Sequence, residues 1–135
     1  MFIVINLWES VDTSMKTSIP LVNIIIVTYN EFQYTKNCIE SLLVDGYDNK
    51  KIVLVDNASE MAAYQAFIKA YQNRVDFLCI RSEKNLGFGG GCNLGIRAVE
   101  SGYIVFLNND TEVSRGWLDP LVDYMERNQE VGACQ

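Results

Sequence analysis

The sequence predicts an α/β domain in three layers, a mostly parallel sheet with helices on both faces. Three observations carry that expectation. From Leu21 onward, short β-branched runs without a polar face alternate with segments of helical period, the pattern of doubly buried strands joined by crossover helices. Each run gives way to a polar or glycine-rich turn, as strand-to-helix loops require. The 135 residues, 49% of them hydrophobic, suffice for one core and one domain.

The elements follow in order. "LVNIIIVTY" is a central strand, apolar on both alternating faces. "EFQYTKNCIESLLVDG" is a helix with Tyr34, Cys38, Ile39, Leu42 and Leu43 on one stripe and Gly46 as its stop. "KKIVLVDN" is the second strand, and "ASEMAAYQAFIKAYQN" a helix with Tyr64, Phe67, Ile68 and Tyr71 on one side and Ser59 as N-cap. "VDFLCIRS" is the third strand, "GGCNLGIRAVESG" a helix entered through glycines, and "YIVFLNND" the fourth strand. Ser114 opens the last helix, "SRGWLDPLVDYMERN", with Trp117, Leu118, Leu121, Val122 and Met125 toward the sheet and Pro120 in its first turn. "EVGACQ" then enters a fifth strand, which leads us to expect a truncated domain.

Residues 21–135 thus read as one unit, without repeat, linker or low-complexity tract. Residues 1–20 read as an N-terminal extension, loosely packed or added as an edge strand. Glu9 and Asp12 interrupt its apolar start, which is too short to span a bilayer and lacks a signal peptide's basic leader, while Met15 begins "MKTSIPLVNIIIVTYN" as a natural start would. A sheet ending at the fourth strand would leave an edge that invites pairing into a homodimer.

Composition excludes several functions. A net charge of -6, from 17 acidic and 11 basic residues, argues against nucleic acid as a partner and limits membrane association to a peripheral one. The chain has no histidine, so acid–base work falls to Asp or Glu and zinc loses its commonest nitrogen ligand. Cys38, Cys79, Cys92 and Cys134 form no C-x-x-C pair and read as buried, reduced thiols of a cytoplasmic protein.

In an open parallel sheet, ligands bind outside the carboxyl ends of the strands. Those ends carry Thr28-Tyr29-Asn30-Glu31, Asp56-Asn57-Ala58-Ser59, the stretch from Ser82 to Gly91, and Asn108-Asn109-Asp110. Each has a plain reading as a turn or cap, but their coincidence on one edge points to a ligand, and a nucleotide with two phosphates suits three neighbouring loops. No Gly-Lys dipeptide exists for a P-loop, and the turn after the first strand lacks the glycines of a dinucleotide fingerprint. A divalent cation, Mg2+ or Mn2+, then becomes the economical way to hold a diphosphate, using one or two carboxylates and phosphate oxygens. Asp110 is the candidate ligand and Glu112 a weaker second, while Asn108 and Asn109 offer neutral groups to ribose hydroxyls or a phosphate oxygen.

The ordered set "IIIVTYNE", "CIESLL", "IVLVDNAS", "NLGFGGGCNLGI", "FLNNDTEV" and "GWLDPLV" resembles the nucleotide-sugar-binding N-terminal half of glycosyltransferase family 2, enzymes of the Rossmann-like GT-A fold, over about Val22 to Gln135. Within it the chain is most similar to the rhamnosyltransferase-like subgroup of cell-surface polysaccharide synthesis. The resemblance implies that Thr28, Tyr29, Asn30 and Glu31 line the nucleobase and ribose pocket and that Asp56 meets the pyrimidine edge with Asn57 beside it. It places Asn85, Gly87 and the glycines to Gly91 in a loop by the ribose and donor sugar, with Asn93 on the helix that follows. "NND" stands in the place of the family's D-x-D, so that Asp110 holds the metal and Asn109 the ribose, while Asn108 replaces an acidic residue of many members.

The implied reaction is an inverting transfer from a UDP- or dTDP-sugar to a hydroxyl of a saccharide or lipid-linked acceptor, in the cytoplasm or at the inner face of the membrane. The resemblance puts the base in the later, acceptor-binding half, beyond residue 135, so this chain is expected to bind a nucleoside diphosphate and to transfer sugar poorly alone. The competing readings are a nucleotidyltransferase, which usually needs a glycine- and lysine- or arginine-rich phosphate loop that "VTYNEF" does not provide, and a non-catalytic nucleotide-binding or interaction fragment.

Overall fold

The computed structural model describes residues 2–6, 19–99 and 102–135. Its strands are β1 (Phe2–Asn6), β2 (Val22–Thr28), β3 (Lys50–Asp56), β4 (Phe77–Arg81), β5 (Tyr103–Asn108) and β6 (Ala133–Cys134). They form a single sheet in the order β4-β3-β2-β5-β1-β6. The four strands expected from the sequence, β2 to β5, run parallel to one another. The helices are α1 (Phe32–Leu43), α2 (Met61–Ile68), α3 (Gly87–Ile96) and α4 (Asp119–Arg127).

Alternation along the strands sends side chains to two cores. Ile24, Ile26, Ile52, Leu54, Val105 and Leu107 meet Cys38, Ile39 and Leu42 of α1 and Val122 and Met125 of α4 on one face. Ile25, Val53, Val55 and Ile104 meet Leu94 and Ile96 of α3 on the other. Full burial of each such side chain contributes about 1.5–3 kcal/mol, which is why strands without a polar face sit in the middle of the sheet. No residue of α2 is fully buried. A ladder of rings, Phe32, Phe67, Tyr71 and Phe77, with successive centroids 4.8, 5.1 and 5.2 Å apart, holds it in place.

Several local expectations are corrected. Glu60, not Ser59, caps α2, its carboxylate accepting from Ala62 N and Ala63 N. The last helix starts at Asp119 rather than Ser114, with Pro120 in its first turn. Tyr34 is 56% exposed and leaves the apolar stripe of α1.

The N-terminal extension contributes β1, which lies inside the sheet, antiparallel to β5 on one side and β6 on the other. Val4 is fully buried there. The edge of the fourth predicted strand, on which the homodimer expectation rested, is therefore covered. Residues 7–18 of the extension lie outside the described residues. No helix among the described residues is long and apolar enough to cross a membrane.

Two packing devices fix the loops around the sheet. Asp45, 1% exposed, sits where the turn between α1 and β3 meets the segment leading to α4. Its Oδ1 accepts from Lys50 Nζ at 2.6 Å and Tyr47 N at 3.0 Å, its Oδ2 from Trp117 Nε1 at 2.9 Å, and its carbonyl from Gly116 N at 2.7 Å. On the opposite face α3 lies directly on the sheet because it carries glycine at the contacts. A Cβ on Gly95 would stand 2.7 Å from Ile25 Cγ2, and one on Gly91 2.7 and 2.9 Å from the Val27 methyls, whereas one on Gly89 meets nothing within 4 Å.

Gly91→Ala and Gly95→Ala are thus expected to destabilise the chain by about 1–3 kcal/mol each through overpacking. Gly89→Ala is expected to stabilise it by up to about 1 kcal/mol through helix propensity. Urea denaturation of the three variants checks both signs.

Candidate functional site

The chain runs outward from β2 to β3 to β4, then crosses back over the sheet through α3 to β5 on the other side of β2. Strand order therefore reverses between β2 and β5, and the crevice beyond their carboxyl ends is where an open α/β sheet accepts a ligand. Parallel register brings Thr28 beside Asp56, Asp56 beside Arg81, and Val27 beside Asn108. All four predicted loops consequently meet on one rim.

The turn after β2 is locked to the turn after β3. Asn30 takes a left-handed backbone, φ 61°, which asparagine tolerates better than most residues. Its N–H donates to Ser59 Oγ at 2.8 Å and its Oδ1 accepts from Glu60 N at 2.8 Å. Ala58 also stands at positive φ, 65°, a strained setting for alanine that persists only where neighbours enforce it. Asp56 supplies part of that enforcement: its Oδ1 accepts from Ser59 N at 3.3 Å. Its other oxygen is paired with Arg81 Nη1, and Arg81 Nη2 donates to Ser59 O at 2.6 Å. The guanidinium also lies 4.7 Å above the Tyr64 ring.

The resemblance assigns Asp56 to the base edge, yet the carboxylate is 0% exposed and both of its oxygens are engaged. In this structure one bond on each oxygen ties Asp56 to Arg81 and to the Ser59 turn, so the carboxylate holds the loop after β3 in place. Asn57 is likewise bonded within the protein. Its Nδ2 donates to Asn85 Oδ1 at 2.9 Å and Gly87 O at 3.1 Å, and its Oδ1 accepts from Leu86 N at 2.9 Å. A buried amide with three such bonds acts as a staple, here holding the 85–87 loop against β3. The glycines from Gly87 to Gly91, expected in a loop, belong to α3 itself, and Gly91 is buried against Val27. Tyr29, Glu31, Asn85, Gly87 and Asn93 remain exposed on the rim.

Beyond β5, Asn108 and Asn109 are half-buried and Asp110 is exposed. A turn closes the motif, with Thr111 N donating to Asn108 O at 3.1 Å. One edge of α1 grips this segment along its length. Thr35 Oγ1 accepts from Asn109 Nδ2 at 3.1 Å, Cys38 Sγ donates to Asn108 O at 3.7 Å, and Ser41 Oγ accepts from Val113 N at 3.0 Å. Asn37 Nδ2 donates to Glu112 Oε1 at 3.3 Å. Burial first, then the nearby Asp110 and Glu112 carboxylates, push the Cys38 thiol up to about 12, so it stays protonated.

Among the described residues no three acidic or thiol side chains gather into a metal cage. One exposed carboxylate, Asp110, with Glu112 tied to Asn37, is a donor set that suits Mg2+ or Mn2+ only when phosphate oxygens and waters complete the shell. A cavity of about 270 Å³ opens elsewhere, among Pro20, Tyr47, Asp48, Asp119 and Asp123. Those residues adjoin the amino ends of the strands, and three carboxylates make the cavity unsuited to a diphosphate.

Thr35, Ser59, Arg81 and Ser82 complete the rim's bonding, and only Ser59 and Ser82 stood within the predicted strand ends. Arg81 falls one residue before the stretch read as the third loop, and register beside Asp56 is the signal that would have found it. Thr35 lies inside a helix, where sequence gives no sign that its hydroxyl reaches two strand ends.

This arrangement, a mostly parallel sheet reversing at β2 and β5 with its polar loops on one rim, is the GT-A type of α/β fold. Solved structures share it: S. aureus TarS 1-349 superposes with a TM-score of 0.71 at 20% identity, covering 81% of this chain and 33% of that one. A mannosyltransferase from Pyrobaculum calidifontis, solved with GDP-Man and Mn2+, gives 0.70 at 20% identity, covering 81% of this chain and 33% of its own. The chain belongs to Glycosyl transferase family 2, whose profile matches residues 23–135.

Curated relatives include uncharacterized glycosyltransferases of Haemophilus influenzae, 27% identical over 84% of this chain and 35% of the relative, and of Methanocaldococcus jannaschii, 32% identical over 83% and 39%. Another is EpsJ of Bacillus subtilis, an uncharacterized glycosyltransferase 31% identical over 82% of this chain and 32% of its own length. The chain thus spans about a third of the length of these relatives.

Proposed function

We propose that this chain is the donor-binding part of an inverting glycosyltransferase that uses a UDP- or dTDP-sugar and serves cell-surface polysaccharide synthesis. The observation that carries the reading is the convergence of the Thr28, Asp56 and Asn108-Asn109-Asp110 strand ends at the reversal point of a family 2 sheet. Its support from relatives is that S. aureus TarS has been solved with UDP-GlcNAc and the Pyrobaculum enzyme with GDP-Man and Mn2+. In the transfer, the acceptor oxygen forms a bond to the anomeric carbon while the bond from that carbon to the diphosphate oxygen breaks. The electron pair leaves with the nucleoside diphosphate, and the acceptor proton passes to a carboxylate outside these residues. A divalent cation held by Asp110 would offset the charge growing on the leaving diphosphate. Asn109 and exposed groups such as Tyr29 and Glu31 would bind the nucleoside, with Asp56 and Asn57 keeping their loops in place.

Calorimetry with UDP, dTDP and GDP, each with and without Mn2+, tests the reading. Binding of a pyrimidine diphosphate that strengthens with Mn2+ is expected. Preference for a triphosphate would favour nucleotidyl transfer, and absence of binding would favour an interaction fragment. Asp110→Asn is expected to lower affinity in Mn2+ by about 10–100-fold and to leave metal-free binding little changed.

A further inference from the structure

We propose that Thr35 is a positioning residue of the donor site, orienting the Asn109 carboxamide so that its oxygen is offered to a hydroxyl of the bound nucleotide sugar. The inference rests on the donor-binding reading above. Thr35 lies in the first turn of α1 and is 0% exposed. Its hydroxyl is 2.8 Å from Glu31 O, 2.7 Å from Thr28 Oγ1 and 3.1 Å from Asn109 Nδ2. A hydroxyl has one proton and two lone pairs. The Glu31 carbonyl can only accept, so the Thr35 proton goes there. Thr35 must then accept from both of the others, and Thr28 is a donor.

The same reasoning fixes which end of the Asn109 amide faces inward, because a carbonyl oxygen there would meet no proton. The NH2 end is held by Thr35. The Oδ1 on the same carbon accepts no hydrogen bond from any described residue, and Asn109 is half-buried at the rim.

A threonine inside a helix satisfies itself by bonding back to the carbonyl four residues earlier, as Thr35 does with Glu31. Nothing in helix formation calls for the other two partners. Those partners come from the carboxyl ends of β2 and β5, the two strands at which sheet order reverses. Thr35 therefore ties the two strand ends together, and a valine of the same shape would fill its volume without doing so.

The test uses Thr35→Val and Thr35→Ser, alone and combined with Asn109→Ala, in the whole chain. The first readout needs no ligand: the side-chain amide proton signals of Asn109, identified by their loss in Asn109→Ala. They are expected to be well separated and slow to exchange in the unaltered protein and in Thr35→Ser, and to collapse toward those of a free carboxamide in Thr35→Val. The second is calorimetry with UDP and Mn2+. Thr35→Val is expected to weaken binding by about tenfold, and Thr35→Ser to restore it to within about twofold. Thr35→Val should add nothing once Asn109 is alanine.

Unchanged Asn109 signals in Thr35→Val would overturn the proposal. So would a tenfold loss that persists on the Asn109→Ala background, since that marks a general packing role. Should the unaltered protein bind none of the nucleotides, the donor-binding reading fails, and the amide signals alone decide whether Thr35 orients Asn109. Thr35→Ala replaces the valine variant if the latter does not fold.

Discussion

Asp45→Ala is expected to lower the unfolding free energy by about 3–5 kcal/mol, the usual cost of leaving one member of a buried ion pair alone. Lys50 and Asp45 side chains are only 9% and 1% exposed, so the stranded ammonium has little water to replace its partner. The substitution also removes the carboxylate oxygens that accept from Trp117 Nε1 and Tyr47 N. Against a total stability of about 5–15 kcal/mol, such a loss moves the urea midpoint by about a fifth or more of its value. Asp45→Asn, which keeps one acceptor oxygen and shape but loses the charge, is expected to fall between the two. Equal midpoints for Asp45→Ala and the unaltered chain would show that the loop junction does not depend on this carboxylate.

Asp56→Ala is expected to cost about 3 kcal/mol, at the lower end of the same range because Arg81 retains 23% of its side-chain exposure. Two consequences should accompany it. Ser59 N loses its acceptor, so the strained Ala58 turn and the Asn30 bond that depends on Ser59 should loosen, seen as faster amide exchange at Asn30 and Glu60. And Arg81→Met, introduced into Asp56→Ala, should recover part of the lost stability by removing the unpaired cation. If Asp56 served only a ligand, its loss would leave the free protein as stable as before, and Arg81→Met would bring no recovery.

The sheet was legible because burial on both faces leaves a strong mark: "NIIIV", "IVLV" and "YIVFL" have no polar side, and only a central parallel strand has use for that. The strand ends were legible for a related reason, since Asn, Asp and Gly stand where the backbone must turn. What those side chains touch was not legible. Asp56 and Asn57 look alike in sequence to groups that face only a ligand, yet they also bond Arg81, Ser59, Asn85 and Leu86, contacts set by register between strands far apart in the chain. The start of α4 was misplaced because Ser114 is a good cap by type, while Gly116 at φ 74° and its bond to Asp45 O hold the intervening residues out of a helix. β1 was legible only as one of two alternatives, an edge strand or a loosely packed extension, because its own sequence is short and its place inside the sheet is created by β5 and β6.

That place has a consequence for how the gene is read. β1 lies outside the span matched by the family profile, and it is the neighbour through which β6 joins the sheet. A polypeptide initiated at Met15 would keep every residue of the rim, but would bare the flank of Tyr103–Asn108 and leave Ala133–Cys134 unzipped. The first codons would then govern not the make-up of the rim but whether the far side of the sheet is closed.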